Sequence, residues 1–155
     1  MLKLRGITKN VIVLGWVSLL ADVASEMLYP IIPLFVVGTI GASPALLGVV
    51  EGIAEGISSG LRWLGGALSD RYQRRKPFVV WGYGISAFSK PLIGLAAVLG
   101  WPAVLLGRAS DRFGKSVRSA ARDALIADSI EPQYRGVAFG LHRAMDTSGA
   151  IVGPL

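Results

Sequence analysis

The stretch LLGRASDRFGKSVRSAARDALIAD, Leu105 to Asp128, has the length of a membrane-spanning helix but carries far more charges than such a helix normally tolerates. At about 100° per residue, seven of its charges (108, 111, 112, 115, 118, 122 and 123) fall within an arc of roughly 140°. Leu106, Phe113 and Val117 fall on the opposite side. Spread around the helix, these charges would oppose insertion by about 3 kcal/mol each, whereas on one arc they can face a wet or paired interior. We therefore predict a membrane-spanning helix with a polar stripe.

The composition favours the membrane class. Of 155 residues, 52% are hydrophobic and 17% are charged, which is too apolar for an ordinary soluble domain. A basic helix lying on the membrane surface is an alternative reading of the stretch, but the flanking loops are short for such a detour. The net charge of +6 would also suit a nucleic-acid binder, yet the basic residues lie between long apolar runs, so we expect no nucleic-acid partner.

Enzymatic chemistry is not indicated. The chain has no cysteine and a single histidine, which makes a metal site improbable, and it lacks a nucleophile elbow and a P-loop. We expect neither a catalytic residue nor a cofactor.

The predicted fold is an all-α integral membrane bundle that occupies 1–155, with no soluble domain. Its five predicted spans are 11–37, 44–69, 77–99, 102–128 and 137–155. Basic residues concentrate in the N-terminus and at 70–76, whereas the loops at 38–43 and 99–102 carry no charge. By the positive-inside rule the N-terminus is cytoplasmic and the protein is a multi-pass component of the cytoplasmic (inner) membrane.

Several residues should interrupt or shape these spans. Pro30 and Pro33 should bend or open the first span, and Lys90 with Pro91 should break the third beside a charge. Four glycines at intervals of four residues in the second span should let another helix approach closely: Gly48, Gly52, Gly56 and Gly60.

Ionisable residues inside spans are functional candidates, because they are costly unless they pair or line a pathway. Burial and a nearby like charge both favour the protonated form of a carboxyl group, so acids spaced four apart could bind and release protons. The proton-coupling candidates are Asp22, Glu26, Glu51 and Glu55. The candidates for lining a cavity and meeting substrate are Arg62, Lys90, Arg108, Asp111, Arg112 and Arg118.

The loop GALSDRYQRRK, Gly66 to Lys76, resembles the signature GxLaDRxGRRK of the major facilitator superfamily, with Gln73 in place of a glycine. The matching residues are Gly66, Leu68, Asp70, Arg71, Arg74 and Arg75. Two further segments, ADSIEPQYRGVAFG (127–140) and GAIVGP (149–154), are similar to the family's helix-four end and to the helix-five motif of its drug/proton antiporter branch, here Gly149, Gly153 and Pro154. Either Arg108 or Arg112 would correspond to the family's membrane-embedded arginine.

The resemblance implies a transporter of two six-helix bundles working by alternating access, of which this chain supplies about five helices. It also implies a conformational latch formed by Gly66, Asp70, Arg71, Arg74, Arg75 and Asp128. In that latch Asp70 caps a helix of the other half, and Arg74 pairs with Asp128.

These observations lead to one preferred function and one alternative. The preferred function is proton-coupled export of a small organic solute, with the bilayer, the substrate, protons and a missing C-terminal half or a second copy as partners. The alternative is a non-transporting membrane fragment or scaffold that packs against another bundle through the glycine face of span two.

Overall fold

The computed structural model describes residues 7–72 and 74–155, and every regular element in those residues is helical, as predicted. Lys3 and Arg5 of the basic N-terminus and Gln73 of the loop signature lie outside the described residues. The elements are α1 (Lys9–Glu26), α2 (Ile31–Leu34), a π-helical segment (Phe35–Thr39), α3 (Pro44–Tyr72), α4 (Arg75–Gly94), α5 (Ala96–Leu99), α6 (Trp101–Asp128), a 3-10 turn (Pro132–Tyr134) and α7 (Arg135–Val152).

Proline has different effects in the first and third predicted spans. Helix α1 ends at Glu26 and α2 begins directly after Pro30, so the predicted interruption is confirmed. The break predicted at Pro91 is wrong, because α4 continues through this residue to Gly94. In the turn before it, the Ser86 carbonyl accepts hydrogen bonds from Ser89 Oγ at 2.7 Å and from Lys90 Nζ at 3.0 Å. The missing N–H of Pro91 removes the helical donor of the next carbonyl, that of Ala87, and the helix continues past this single loss.

Length and composition identify one segment that could cross a membrane among the described residues, namely Lys9–Thr39, which covers α1, α2 and the π-helical segment. The other predicted spans carry more charges or fewer strongly apolar residues. They remain predictions, as does the orientation of the chain.

The chain divides into two compact units. In the unit formed by Met1–Leu28 and Arg122–Leu155, α1 packs along α7 through small residues. A Cβ atom added to Gly149 would lie 3.0 Å from Leu19 Cα, and one added to Gly153 would lie 2.8 Å from the Val23 carbonyl oxygen. Gly15 lies in the same way against Met145. Because these contacts advance together along both helices, α1 and α7 run parallel.

The second unit, Tyr29–Ala121, holds α3, α4 and most of α6. Contacts between α3 and α6 advance together, from Glu51 with Arg108 to Ser58 with Ser116, so these helices also run parallel. Contacts between α4 and α6 run in opposite senses. Gly82 meets Arg118 near the start of α4, and Ile93 meets Gly107 near its end. These directions are consistent with consecutive helices that alternate in direction through a bilayer.

The glycine face predicted on α3 is not where the described helices approach closely. No described atom lies within 4 Å of a Cβ built on Gly48, Gly52, Gly56 or Gly60. The tight contact of α3 comes further along the helix, where a Cβ at Gly65 would lie 3.0 Å from Val117 Cα. The contact predicted through this face is therefore not made within residues 7–72 and 74–155.

The close approach of α4 and α6 gives a stability prediction. A Cβ at Gly82 would lie 2.6 Å from Arg118 Cβ and 2.7 Å from the Gly114 carbonyl oxygen, so Gly82→Ala should lower the free energy of unfolding by about 1–3 kcal/mol. Gly84, also on α4, has open space around its Cβ position, so Gly84→Ala should stabilise the helix by up to about 1 kcal/mol. Thermal unfolding of both variants in the same detergent measures the difference. Equal melting temperatures for the two variants would contradict the close approach of α4 and α6 at Gly82.

Candidate functional site

Four of the seven charged residues in the stripe of α6 are buried, and the first arginine of the stripe forms a two-bond ion pair with α3. Arg108 is 4% exposed. Its Nε donates to Glu51 Oε1 at 2.7 Å, and its Nη2 donates to Glu51 Oε2 at 2.5 Å. The guanidinium also lies 5.9 Å from the ring centroid of Tyr29. Two parallel hydrogen bonds to one carboxylate fix both side chains and offset the cost of burying the charge.

One helical turn further along, a second pair repeats the pattern with weaker geometry. Arg112 Nε lies 3.5 Å from Glu55 Oε2, and the Glu55 side chain is 58% exposed. The sequence left open whether Arg108 or Arg112 is the key arginine of α6. Arg108 has the more buried and more closely bonded position, whereas Arg112 retains a partner that solvent can reach.

Asp111 lies at a junction with α4. It is buried, accepts a short hydrogen bond from Ser86 Oγ, and lies 3.5 Å from Lys90 Nζ. The Lys90 ammonium is therefore held between this carboxylate and the Ser86 carbonyl. Lys90 and Asp111, two of the residues predicted to line a cavity, therefore balance each other's charge.

Arg118 lies over an aromatic ring. It is 1% exposed, and its guanidinium carbon lies 4.2 Å from the ring centroid of Tyr83 on α4. Cation–π contact in a desolvated site contributes about 2 kcal/mol. Arg62, the other predicted cavity arginine, is exposed on α3.

In the other unit, the stripe ends in a polar cluster that joins α1, the end of α6 and α7. Arg122 Nη1 lies 3.2 Å from Ser18 Oγ and 3.5 Å from Asp146 Oδ1, and Arg122 Nη2 lies 3.0 Å from Asp123 Oδ1. Ser18 Oγ is in turn 3.1 Å from His142 Nε2. These contacts connect charged and hydrogen-bonding side chains of all three helices.

The two acids predicted on α1 lie close to this cluster in sequence. Asp22 is 4% exposed, and it follows Ser18 by one helical turn on the same face. Glu26 is half-buried one turn later, where its Cβ packs beside Gly153. Both positions allow a carboxyl group to be shielded from solvent.

The loop signature is partly paired. Asp70 Oδ1 lies 3.0 Å from Arg75 Nη1, while Arg71 and Arg74 are exposed. Gly66 lies against α6, since its Cβ position is 3.3 Å from Ala120 Cβ. Asp128 ends α6 and is exposed, so its predicted pairing with Arg74 remains a prediction.

The helix-five motif has a packing role. Gly149 and Gly153 are the glycines through which α7 contacts α1, and Pro154 follows directly after the end of that contact. Because glycine has no Cβ, the two backbones can come this close.

Sequence reasoning gave no role to Ser18, Ser86, Tyr83 or His142. The signal that was available for Ser18 was its spacing, since a serine four residues before Asp22 extends the polar face of α1 by one turn. Nothing in the sequence marks Tyr83 or Ser86, because their roles depend on which helix lies opposite α4.

An apolar groove in Tyr29–Ala121 is separate from these charges. It measures about 520 Å³ and is lined by apolar side chains of α3, α4 and α6, among them Leu64, Trp81 and Phe113. Within residues 7–72 and 74–155 there is also no group of three or more His, Cys, Asp or Glu side chains placed to hold a metal ion. The candidate site is therefore the charged network itself.

Paired charges along one helix are an arrangement that a membrane protein requires where polar groups line a pathway or switch between partners. The family model of the Major Facilitator Superfamily matches residues 14–155, and the chain belongs to this superfamily of membrane transporters.

Individual relatives agree with the family match. An uncharacterized MFS-type transporter of Methanocaldococcus jannaschii is 42% identical over 149 residues, covering 96% of this chain and 36% of the relative. An uncharacterized protein of Mycobacterium tuberculosis is 40% identical over 146 residues, covering 94% of this chain and 35% of the relative. Multidrug resistance protein MdtH of Escherichia coli is 31% identical over 131 residues, covering 83% of this chain and 31% of the relative. The chain thus spans about a third of the length of these curated relatives. No solved structure matches it.

The two ion pairs between α3 and α6 should differ in strength. In a double-mutant cycle with Glu51→Gln and Arg108→Gln, we expect a coupling energy of about 2 kcal/mol or more, because Glu51→Gln leaves the charge of the buried Arg108 without this partner. The matched cycle with Glu55→Gln and Arg112→Gln should give less than about 1 kcal/mol, because solvent screens that pair. Unfolding in mixed micelles measures both cycles. Equal coupling energies in the two cycles would show that the difference in burial does not make one ion pair stronger than the other.

Proposed function

We propose that this chain forms the N-terminal part of a proton-coupled transporter that exports a small organic solute by alternating access. The observation that supports the proposal most is the buried stripe of α6, which is paired with acids of α3 in a chain of this superfamily. The name of the relative MdtH, a multidrug resistance protein, supports outward movement of small organic solutes.

The pairs on α6 suit a switch because each can exchange its partner. Protonation of Glu51 would remove the charge that holds Arg108 and leave a buried guanidinium without its anion, a state that favours rearrangement or binding of an anionic group. Glu55, largely exposed beside Arg112, would be the easier acid for a proton to reach.

The acids of α1 are the second element of the proposal. Asp22 is buried beside the Ser18 cluster and Glu26 follows one turn later, so the two carboxyl groups lie on one face. A proton that binds one of these carboxyl groups in one conformation and leaves it in another would couple proton movement to transport. We propose these four acids as the proton-coupling groups, and Arg62, Lys90, Arg108, Asp111, Arg112 and Arg118 as the groups that meet substrate or those acids.

The latch is the third element. Its residues lie at or near the α3–α4 connection and at the end of α6. At the α3–α4 connection Asp70 is paired with Arg75, and Arg71 and Arg74 are exposed. These exposed arginines would make contacts that form in one state and break in the other. Such contacts bias an equilibrium between two conformations. The proposed location is the cytoplasmic (inner) membrane with the N-terminus inside, and the rest of the transporter is a C-terminal half or a second copy. The family match and the named relatives do not favour the non-transporting alternative.

Neutralising Asp22 tests proton coupling. In inverted membrane vesicles, Asp22→Asn in the intact protein should lower uptake of ethidium driven by a pH gradient at least about 10-fold, because the variant cannot release a proton there. Exchange of ethidium across vesicles without a gradient should persist, since the pathway is unchanged.

The matched control is Glu131→Gln, an exposed acid in the α6–α7 connection, which should retain gradient-driven uptake. Full gradient-driven uptake by Asp22→Asn would remove this acid from the coupling mechanism.

Asp70→Asn tests the latch. The variant should insert and fold normally, because Asp70 is exposed, but should transport at least about 5-fold more slowly, because the conformational equilibrium loses one of its biasing contacts. Vesicle uptake normalised to the amount of protein in the membrane gives the rate. Wild-type rates would exclude a role for this carboxylate.

A further inference from the structure

The apolar groove in Tyr29–Ala121 is a feature that the proposed transport mechanism does not use. It is lined by residues of α3, α4 and α6, and none of its described lining residues carries a charge. On α6 the lining residues are Phe113 and Val117, which lie on the side of the helix opposite its charged stripe. The groove therefore opens on the face of α6 that is suited to lipid.

The groove requires an apolar occupant. A gap beside apolar side chains loses their dispersion contacts, and water in such a gap finds no hydrogen-bond partners. Trp81 in its wall is 71% exposed, so an occupant can enter from the surrounding bilayer. Along α4 the lining extends from Pro77 to Ile85, a rise of roughly 12 Å. This length suits an acyl chain, since one leaflet of the hydrocarbon core is about 15 Å deep.

One end of the groove lies at the basic connection between α3 and α4. Leu68 on α3 and Pro77 on α4 line the groove at this end. Arg71 follows Leu68 by one turn of α3, and Lys76 directly precedes Pro77. Both cations are exposed. An apolar cleft thus ends beside positively charged side chains.

This end stays positively charged after its own ion pair is formed. Asp70 Oδ1 lies 3.0 Å from Arg75 Nη1, which balances one of the arginines. Beside this pair, Tyr72 stacks on Phe78 of the groove, with ring centroids 6.4 Å apart. Tyrosine and clustered basic residues are both typical of the headgroup level of a membrane. The exposed cations among the described residues of the connection are Arg71, Arg74 and Lys76.

We propose that this groove binds an anionic phospholipid. Its acyl chain lies against Trp81 and Phe113, and its phosphate is bound by Lys76 and Arg71. Inorganic phosphate would leave the apolar groove unfilled, whereas a zwitterionic lipid or an amphipathic cation would bring a further positive charge to the basic end. The site is separate from the charged network of α6 and stands independently of the proposed transport function.

Quenching of tryptophan fluorescence by brominated lipid tests the site, because bromine atoms quench only at short range. The intact protein is placed in phosphatidylcholine nanodiscs that contain an increasing fraction of phosphatidylglycerol brominated in its acyl chains, and the series is repeated with brominated phosphatidylcholine. The fluorescence that is lost in Trp81→Phe reports on the groove. Half-maximal quenching of this signal should need a fraction of phosphatidylglycerol at least about 10-fold lower than of phosphatidylcholine.

Trp63 gives a matched control on α3. It is 67% exposed, close to the exposure of Trp81, but it does not line the groove. The fluorescence that is lost in Trp63→Phe should be quenched equally by the two brominated lipids. Equal quenching of Trp81 by both lipids would overturn the proposal, because the groove would then hold bilayer lipid of either kind. Absence of quenching by both would also overturn it, because another segment of the transporter would then cover the groove.

Lys76→Gln tests the phosphate contact. The variant should lower the preference of the Trp81 signal for phosphatidylglycerol about 5-fold, which corresponds to about 1 kcal/mol. Lys9→Gln removes an exposed cation from α1, a helix that does not line the groove, and should leave the preference unchanged. An unchanged preference in Lys76→Gln would overturn the assignment of the headgroup to this end. Because the readout is lipid contact, a negative transport result for Asp22→Asn would contradict the proposed coupling without affecting this measurement.

Discussion

Burial of charge on α6 is the constraint on which the rest of the structure depends. Arg108, Asp111, Arg118 and Arg122 are all buried, and each would be unfavourable in an apolar setting without a partner. The partners come from four other helices: an acid of α3, a serine, a lysine and a tyrosine of α4, a serine of α1, and an acid of α7. The charges of α6 therefore require partners of opposite charge or hydrogen-bonding side chains on several neighbouring helices.

Close packing is what allows those partners to reach the stripe. Gly82 and Gly114 bring α4 against α6 at backbone distance, and Gly149 and Gly153 do the same for α7 and α1. A Cβ at any of these positions would push the helices apart and lengthen the hydrogen bonds and ion pairs between them. Packing and electrostatics are therefore coupled in this fold: the glycines set distances, and the charged pairs set which faces meet.

The proposed function uses the same coupling. In that proposal, protonation of an acid in a pair lets its arginine exchange partners, and tight interfaces turn such exchanges into discrete movements. The chain spans about a third of the length of its relatives, so it would supply only a part of this mechanism. A solute and the opposing wall complete the cycle in the transporter that we propose.

The sequence by itself determined the helical class, the superfamily and the arc of charge on α6, because these depend on composition, local spacing and a loop motif. It also gave the interruption of the first span near Pro30. It did not give the continuation of α4 through Pro91, the open glycine face of α3, or the roles of Tyr83, Ser18 and His142. Those features were decided by the tertiary structure. Whether a glycine forms a helix contact or a histidine finds a hydrogen-bond partner depends on which residues of another helix lie opposite, and so does whether a helix continues through a proline.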